Sequence, residues 1–301
     1  CSCDKDPDCI PCQEKDQNEA TLKVNLSFED ESQTKATAYV TAQPYETAIN
    51  DVQVLVFDSS GALNAYVDAD TKTSGISIKT TTGSKTIYAV VNGPDLSSVT
   101  KIPELNAKTI DLGDNSITST AGFVMAGSTS CNVTTSSQNV NVTVRRFVSR
   151  VALQKVNNAL PASYGAMTIN NVTLINVVGN QNLAGAATAS TWYNKMGRKD
   201  GATASNQIID GSTYLASHPT LTFKSVESSV ASGASHTPTT PYLFYTFPNS
   251  TSNDVTGWAT SFTARKTRLV VAATIGGKKY YFAGSNLTSP KLSTGKMVTG
   301  K

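Results

Sequence analysis

The chain has 301 residues, of which 39% are hydrophobic and only 16% are charged, and its net charge at pH 7 is +3. A chain of this length favours two domains, each able to bury its own core. The small net charge, without a run of lysine and arginine interleaved with aromatic residues, argues against a nucleic-acid partner. The longest apolar run, near 269–275, is about a third of the ~20 residues that a membrane-spanning helix needs, so any membrane attachment is expected to be covalent.

The first predicted element is a leader, residues 1–19, in which four of the five cysteines lie within twelve residues. These cysteines are Cys1, Cys3, Cys9 and Cys12. Four thiolates could hold a zinc ion, but apart from Ile10 the leader offers no apolar residue to support such a site. The alternative that fits better is that Cys1 is the first residue after signal-peptide removal and carries a lipid, while the others are exposed thiols in an oxidising compartment. Their pairing stays open.

After the leader, alternating polarity and abundant β-branched residues predict strands, and helical periodicity is scarce. The predicted strands are 21–28, 52–57, 75–80, 85–91, 140–144, 167–177, 221–226, 242–247, 269–275 and 278–282. Asp58-Ser59-Ser60-Gly61 and Gly276-Gly277 predict hairpin turns, because glycine adopts positive φ without a steric penalty. Short strands at intervals of roughly ten residues are typical of Greek-key sandwiches, and the predicted fold class is all-β.

The run NVNVTVRRFVSRVALQKV, residues 139–156, is where we place the boundary between two domains, 20–148 and 149–301. A strand pattern ends there and restarts with MTINNVTLINV. Residues 179–217, rich in Gly, Ala, Asn and Thr, are predicted to form a mobile surface loop. Cys131, alone in the first domain, is predicted to be a buried small hydrophobic residue.

Residues that could support catalysis are few. The two histidines, His218 and His236, lie in polar loops and are predicted to be solvated. The sequence contains no nucleophile-elbow, phosphate-binding or zinc-protease motif, and paired acids such as Asp68 and Asp70 fall in predicted turns. We therefore predict that the chain is not an enzyme and carries no cofactor or metal.

Seven segments share their order and spacing with a known family. They are TKATAYVTAQPYETAINDVQVLVFDSSGAL, TTGSKTIYAVVN, GFVMAG, VNVTVRRFVSRVAL, MTINNVTLINV, YLFYTFPN and TRLVVAATIGGKKYYF. The set resembles the FimA-type fimbrillins of Bacteroidales, the subunits of type V pili, over most of the chain from about Ala20. The resemblance implies two transthyretin-like sandwich domains in tandem, export as a lipoprotein in agreement with Cys1, and polymerisation in place of catalysis.

The resemblance also implies that a trypsin-like protease cuts after the first strand, which leaves, and that a neighbour's C-terminal strand fills its place. Here the strand is 20–28 and the cut falls between Lys35 and Ala36. Its apolar face is expected to consist of Leu22, Val24, Leu26 and Phe28. Better-known members of the family have arginine at the cut, whereas this chain has no arginine before Arg145. Either the protease accepts lysine, or the subunit stays uncut.

The implied partners are neighbouring pilin subunits, the maturation protease, the outer membrane through lipid on Cys1, and host or bacterial surface ligands. The implied location is an outer-membrane precursor that is assembled into adhesive fimbriae at the cell surface. The alternative function is a surface lipoprotein that binds glycan or peptide, with Trp192, Tyr193 and Trp258 as stacking platforms. The sequence stops at Lys301, where the family pattern continues with further strands, including the donor. We expect a truncated product, or else a terminal subunit that accepts a strand without donating one.

Overall fold

The computed structural model describes residues 18–29, 41–134, 137–185, 191–194, 219–250, 266–283 and 298–299. The residues proposed for lipidation and cleavage, Cys1, Lys35 and Ala36, lie outside these ranges, as do His218 and Trp258. Among the helices in the described ranges, none is long and apolar enough to span a membrane.

Strands make up most of the described chain, as the polarity pattern predicts. In the N-terminal half they are β1 Glu19–Phe28, β2 Val52–Asp58, β3 Leu63–Asp68, β4 Ile76–Thr81, β5 Gly83–Val91, β6 Thr109–Asp111, β7 Met125–Val133 and β8 Gln138–Arg146. They continue with β9 Ser149–Leu153, β10 Val156–Asn157, β11 Met167–Ile175, β12 Val177–Val178, β13 Asn180–Asn182 and β14 Trp192–Tyr193. The last are β15 Phe223–Val230, β16 Ser235–His236, β17 Tyr242–Thr246, β18 Arg268–Ile275, β19 Lys278–Ala283 and β20 Val298–Thr299. The helices are α1 Pro44–Thr47, α2 Ile102–Ala107 and α3 Pro219–Thr222, with 3-10 turns at Gly113–Asn115 and Ala162–Tyr164.

The N-terminal half forms a seven-stranded sheet in the order β3-β2-β5-β7-β8-β1-β4. Between β7 and β8 the ladder is limited to Met125 with Arg146 and Ala126 with Arg145. A Cβ on Gly127 would lie 1.9 Å from the Thr143 carbonyl oxygen, so only glycine allows the strands to come this close. The sheet turns a corner there, which separates β3-β2-β5-β7 from β8-β1-β4.

The two edge strands of this sheet, β3 and β4, contact each other through side chains. The Asn64 side-chain oxygen accepts hydrogen bonds from the Thr81 amide at 3.0 Å and from the Thr81 hydroxyl at 3.2 Å. With the corner at Gly127, this contact encloses a core to which both groups of strands contribute. Its buried residues include Val54 and Val56 from β2, Ile87 from β5, and Leu22 and Val24 from β1.

The C-terminal half contains a five-stranded sheet in the order β15-β11-β18-β19-β20, together with the pair β17-β9 and shorter pairs. A second core cluster combines residues of this half, such as Val172, Leu174 and Phe244, with Leu55 and Phe57 of β2. The short strand β6 of the N-terminal half pairs with β13. The two halves are therefore packed against each other through a shared apolar core.

The all-β prediction is confirmed, and each of the ten predicted strands overlaps an observed one. Both predicted hairpins are present: Gly61 has φ +80°, and Gly276 and Gly277 have φ +55° and +75°. Among the strands of five or more residues, the sequence pattern missed β3, β7 and β9, whose polar and apolar residues do not alternate cleanly over their length. It also missed the strands of two or three residues outside the predicted runs, which are too short to show a period.

Two predicted boundaries are wrong. The strand expected at 221–226 begins only at Phe223, because Pro219–Thr222 form a helical turn whose first residue is a proline. The strand expected at 167–177 breaks at Asn176, which has φ +53°. The described part of 179–217 is also not an irregular loop throughout, since it contains β13 and β14.

Candidate functional site

The first strand, β1, lies inside the seven-stranded sheet between β4 and β8. It pairs antiparallel with β4 from Glu19 to Val24 and parallel with β8 from Leu22 to Phe28. Only the stretch from Leu22 to Val24 therefore has a neighbouring strand on both sides. The sequence of β1, with its regular alternation, predicts a strand buried on one face, and it occupies such a position.

The inward face of β1 is buried unevenly. Leu22 and Val24 have no exposed surface, and Ala20 is 6% exposed. Leu26 is half-buried and packs on the same core, whereas Phe28 is 36% exposed. The expectation that Phe28 shares the buried face is wrong, because the pairing with β4 ends at Val24 and only β8 flanks the strand beyond it.

The outward face of β1 carries polar side chains that pair with β8. The Asn25 amide donates to the Asn141 side-chain oxygen at 3.4 Å, and the Ser27 and Thr143 hydroxyls lie 2.9 Å apart. Beyond the end of the strand, Glu29 and Arg145 form an ion pair. We call these three pairs, 25 with 141, 27 with 143 and 29 with 145, the outer ladder.

Backbone hydrogen bonds extend the attachment of β1 to its ends. The Thr82 amide donates to the Asn18 carbonyl at 2.8 Å, the Leu26 amide to the Thr73 carbonyl at 2.7 Å, and the Glu29 amide to the Val144 carbonyl at 3.0 Å. Because such bonds involve only main-chain atoms, a different strand of suitable alternation could form them equally well.

The segment that follows β1 in the described chain is held by side chains. Glu46, 7% exposed, accepts from Arg150 Nη1 at 3.0 Å on both carboxylate oxygens, and from the Tyr245 hydroxyl at 2.5 Å. Its second oxygen also accepts from the Gln43 amide at 2.8 Å, and Arg146 Nε donates to its backbone carbonyl at 2.8 Å. We call Glu46, Arg150 and Tyr245 the Glu46 clamp.

Aromatic packing surrounds this clamp. Tyr245 packs edge-on against Phe123 and Tyr45, with ring centroids 4.9 Å and 5.9 Å apart. Burial and the hydrogen bond to Glu46 both favour the neutral phenol and raise the pKa of Tyr245 far above 10. The clamp thus joins residues 43–48 to strands β9 and β17 through buried polar groups.

Asn92 fixes the far end of the same segment. Its side-chain amide donates to the carbonyls of Ala48 at 2.8 Å and Phe123 at 3.0 Å. Its side-chain oxygen accepts from the amides of Asn50 at 2.8 Å and Asp51 at 3.3 Å. Asn92 has φ +53°, a conformation that asparagine tolerates better than most residues.

The sequence pattern did not identify the Glu46 clamp. The run QPYE offers a weak local signal, with proline at the first turn and a capping glutamate three residues after Gln43. Arg150 and Tyr245 lie 104 and 199 residues further along the chain, and nothing in their own surroundings marks them as partners of an acid.

Within the described ranges, other aromatic, histidine and cysteine residues that the sequence singled out are at least half-buried in the fold. Tyr193 is buried in the apolar core and pairs with β12, while Trp192 is half-buried, so Tyr193 is not an exposed stacking platform. His236 is half-buried, with Nε2 2.9 Å from the Tyr242 hydroxyl, and is not the solvated loop residue expected. Cys131 is half-buried against the first core, and burial raises the pKa of its thiol.

No cluster of three or more histidine, cysteine, aspartate or glutamate side chains suited to a metal ion occurs within the described ranges. The leader cysteines lie outside those ranges. What the described residues do assemble is a strand held by main-chain ladders, buried apolar side chains and the exposed outer ladder, followed by a segment held by buried side-chain hydrogen bonds.

A family model described as "Major fimbrial subunit protein (FimA)" matches residues 20–209, more than half of the chain. The match includes β1, β4 and β8 and both ends of the Glu46–Arg150 pair. No curated protein sequence matches the chain.

Solved structures share the fold at low sequence identity. A cell adhesion protein from Parabacteroides distasonis has a TM-score of 0.58 and 16% identity, with 89% of this chain and 79% of that chain covered. A fimbrilin from Porphyromonas gingivalis has a TM-score of 0.54 and 9% identity, with coverage of 86% and 72%. The tip fimbrial protein Mfa3 from Porphyromonas gingivalis, with a C-terminal truncation, has a TM-score of 0.51 and 16% identity, with coverage of 88% and 81%.

Proposed function

Because the chain belongs to the FimA family of major fimbrial subunit proteins, we propose that it assembles by exchanging its first strand, β1, for a strand of a neighbouring subunit. The family consists of structural subunits of cell-surface fimbriae and is not a family of enzymes. Strand exchange is the step by which the geometry described above would serve such a polymer.

The observation that carries the proposal is the position of β1 between β4 and β8. Its removal would leave the main-chain N–H and C=O groups along two strand edges without partners. It would also open the core where Leu22 and Val24 are fully buried. A strand from another subunit would restore both the main-chain hydrogen bonds and the apolar contacts.

A cut in the chain is required because the resident strand competes with any replacement. While β1 is covalently attached, its effective concentration is on the order of millimolar, far above that of a neighbour's strand. We propose that a trypsin-like protease that accepts lysine cuts between Lys35 and Ala36, which turns β1 into a dilute competitor.

The Glu46 clamp supports the same proposal from the other side of the cut. Residues 43–48 are anchored by Glu46, Arg150 and Asn92 through contacts that do not involve β1. Release of β1 would therefore leave the start of the remaining chain attached to the subunit.

The remaining parts of the proposal concern domains, export and location. We propose two transthyretin-like domains, 20–148 and 149–301. The strands of the seven-stranded sheet all end by Arg146, and those of the five-stranded sheet begin at Met167, which supports this division.

Residues 1–19 would act as a tether with lipid on Cys1, holding the precursor at the outer membrane before assembly. Adhesion to host or bacterial surface ligands would be a property of the assembled fimbria.

The test is the amino terminus of protein recovered from assembled surface fimbriae, determined by mass spectrometry. We expect it to start at Ala36. In cells producing Lys35→Gln we expect loss of the Ala36 terminus and of assembled fimbriae. Lys72→Gln, which alters an exposed lysine in a turn, is the matched control and should assemble normally. Assembled subunits that keep residues 20–28 in one continuous chain with the rest would refute the proposal.

A further inference from the structure

We propose that the outer face of β8, formed by Asn141, Thr143 and Arg145, selects the register and the chemistry of the strand that replaces β1. The replacing strand would run parallel to β8. It would carry hydrogen-bonding residues at the positions of Asn25 and Ser27 and an acid at the position of Glu29. This inference rests on the strand exchange proposed above and adds the sequence features of the partner strand.

The buried face of β1 does not define the register by itself. A slip of one residue would turn every side chain to the opposite face, so the core forbids it. A slip of two residues preserves the alternation, because apolar residues follow one another at 20, 22, 24, 26 and 28. Only Leu22 and Val24 are fully buried, and the slip that brings Val24 and Leu26 to these two positions keeps an apolar side chain at each. The inward pattern therefore distinguishes that register only weakly, whereas the core opposes the opposite slip, which puts Ala20 in the place of Leu22.

The outer ladder distinguishes these registers. Each of its three pairs joins chemically matched groups: amide with amide, hydroxyl with hydroxyl, and carboxylate with guanidinium. A slip of two residues in either direction separates Ser27 from Thr143 and Glu29 from Arg145. The outer ladder therefore provides the information that the repeating inward pattern lacks.

The direction of the replacing strand follows from the hydrogen-bond pattern. β1 is parallel to β8 and antiparallel to β4, and parallel and antiparallel ladders place their N–H and C=O groups differently. A strand in the opposite direction would have to match a different pattern on both edges. The replacing strand should thus keep the direction of β1.

The exposure of the ion pair between Glu29 and Arg145 determines how strongly this pair should affect incorporation of the replacing strand. The side chains of Arg145 and Glu29 are 69% and 49% exposed, so the pair is screened by water and salt. Exposed pairs of this kind change equilibrium constants by about two- to fivefold. Complementary charge acts mainly on the association rate and on specificity, so the effect should shrink as salt is added.

The experiment measures strand replacement in the full chain, with a specific protease site introduced into residues 31–39 so that the chain can be cut after β1. Fluorescent peptides with the sequence of residues 18–29 are added to the cut chain, and the rate and extent of their incorporation are measured. A peptide with Glu29→Lys should incorporate about two- to fivefold less than the natural peptide. In a chain carrying Arg145→Glu, the peptide with Glu29→Lys should instead incorporate better than the natural peptide.

Two further peptides separate position from charge. A peptide with Ser27→Glu and Glu29→Ser keeps the same two residues but moves the acid by two positions. Its incorporation into the cut chain should fall as much as that of the peptide with Glu29→Lys. A peptide with Lys23→Glu is the matched control, because Lys23 faces the neutral Asn139. Its incorporation should not respond to Arg145→Glu.

The outcomes distinguish this inference from the proposed function. If no peptide enters the cut chain, strand exchange itself is refuted and the inference falls with it. If all peptides enter equally well in both chains, exchange stands and the outer ladder does not select the partner. The comparison of the peptides in the cut chain that keeps Arg145 does not depend on the folding of the Arg145→Glu variant, so it tests the inference even if that variant does not fold.

Discussion

Strand β1 and the segment 43–48 are neighbours along the chain, on either side of the proposed cut, and they are attached in different ways. β1 is held by main-chain ladders to β4 and β8, by two fully buried apolar side chains, Leu22 and Val24, and by the exposed side-chain pairs of the outer ladder. The segment is held by a buried carboxylate that binds an arginine and a tyrosine more than a hundred residues away.

The difference supports β1, and not residues 43–48, as the part replaced in the strand exchange that we propose. Main-chain hydrogen bonds and apolar contacts can be supplied by any strand of suitable pattern. The Glu46 clamp requires one carboxylate in one place, because Arg150 and Tyr245 both bind it. In the exchange that we propose, β1 would be the part that is replaced and residues 43–48 the part that stays attached.

The largest effect is expected at the clamp. Glu46→Ala removes a carboxylate that is bound by Arg150 in a mostly buried pair, and we expect the free energy of unfolding to fall by about 3–5 kcal/mol. Chemical denaturation measures this. Glu29→Ala is the matched control: it also removes a glutamate from an arginine pair, but the pair is exposed and the loss should be below about 1 kcal/mol. Equal losses would mean that the two regions are not held differently.

The next effect concerns the buried face of β1. Leu22→Ala creates a cavity in the first core, and we expect a loss of about 2–5 kcal/mol in the free energy of unfolding. In the cut chain the same change should speed the release of residues 18–29, which size-exclusion chromatography with mass detection would follow. Phe28→Ala, at the exposed end of the strand, should cause a smaller loss and little change in release. The reverse order would place the anchoring contacts of β1 at its C-terminal end.

The smallest effect is a pH dependence that arises from the clamp. Burial raises the pKa of Tyr245 above its ordinary value of 10, so above pH 10 the unfolded phenol loses its proton while the folded one keeps it. Stability from this group is therefore constant below about pH 10 and falls above it by about 1.4 kcal/mol per pH unit. Tyr245→Phe should remove that fall, measured as denaturation midpoints between pH 9 and 11. The exposed Tyr164→Phe is the control, and an unchanged slope in Tyr245→Phe would contradict the expectation.

Local sequence patterns were sufficient to predict a strand where one of its faces packs on a core and the other faces solvent. β1, β4 and β8 alternate in this way, so their existence and position could be predicted. The hairpin glycines were equally predictable, because their positive φ is a local requirement. The family resemblance was also present in the sequence and is confirmed by the family match.

Sequence patterns failed to predict strands, buried residues and side-chain contacts where these depend on distant parts of the chain. β7 presents polar residues on much of its length and turns away from β8 at Gly127, so no alternation marks it. Tyr193 lies in a segment of loop-like composition and is nevertheless buried, because it is covered by the apolar cluster that both halves share. The Glu46 clamp joins residues whose separation along the chain leaves no periodic signal.

The sequence by itself determined the all-β class, the strand that begins the fold, its hairpin turns and its family, because each depends on periodicities and turn residues within a few positions. Only the tertiary structure decided which strands flank β1, which of its side chains are buried, and which distant groups bind Glu46. Those features depend on how the sheet bends at Gly127 and how the two halves pack, and packing brings together residues whose order along the chain does not predict their contact.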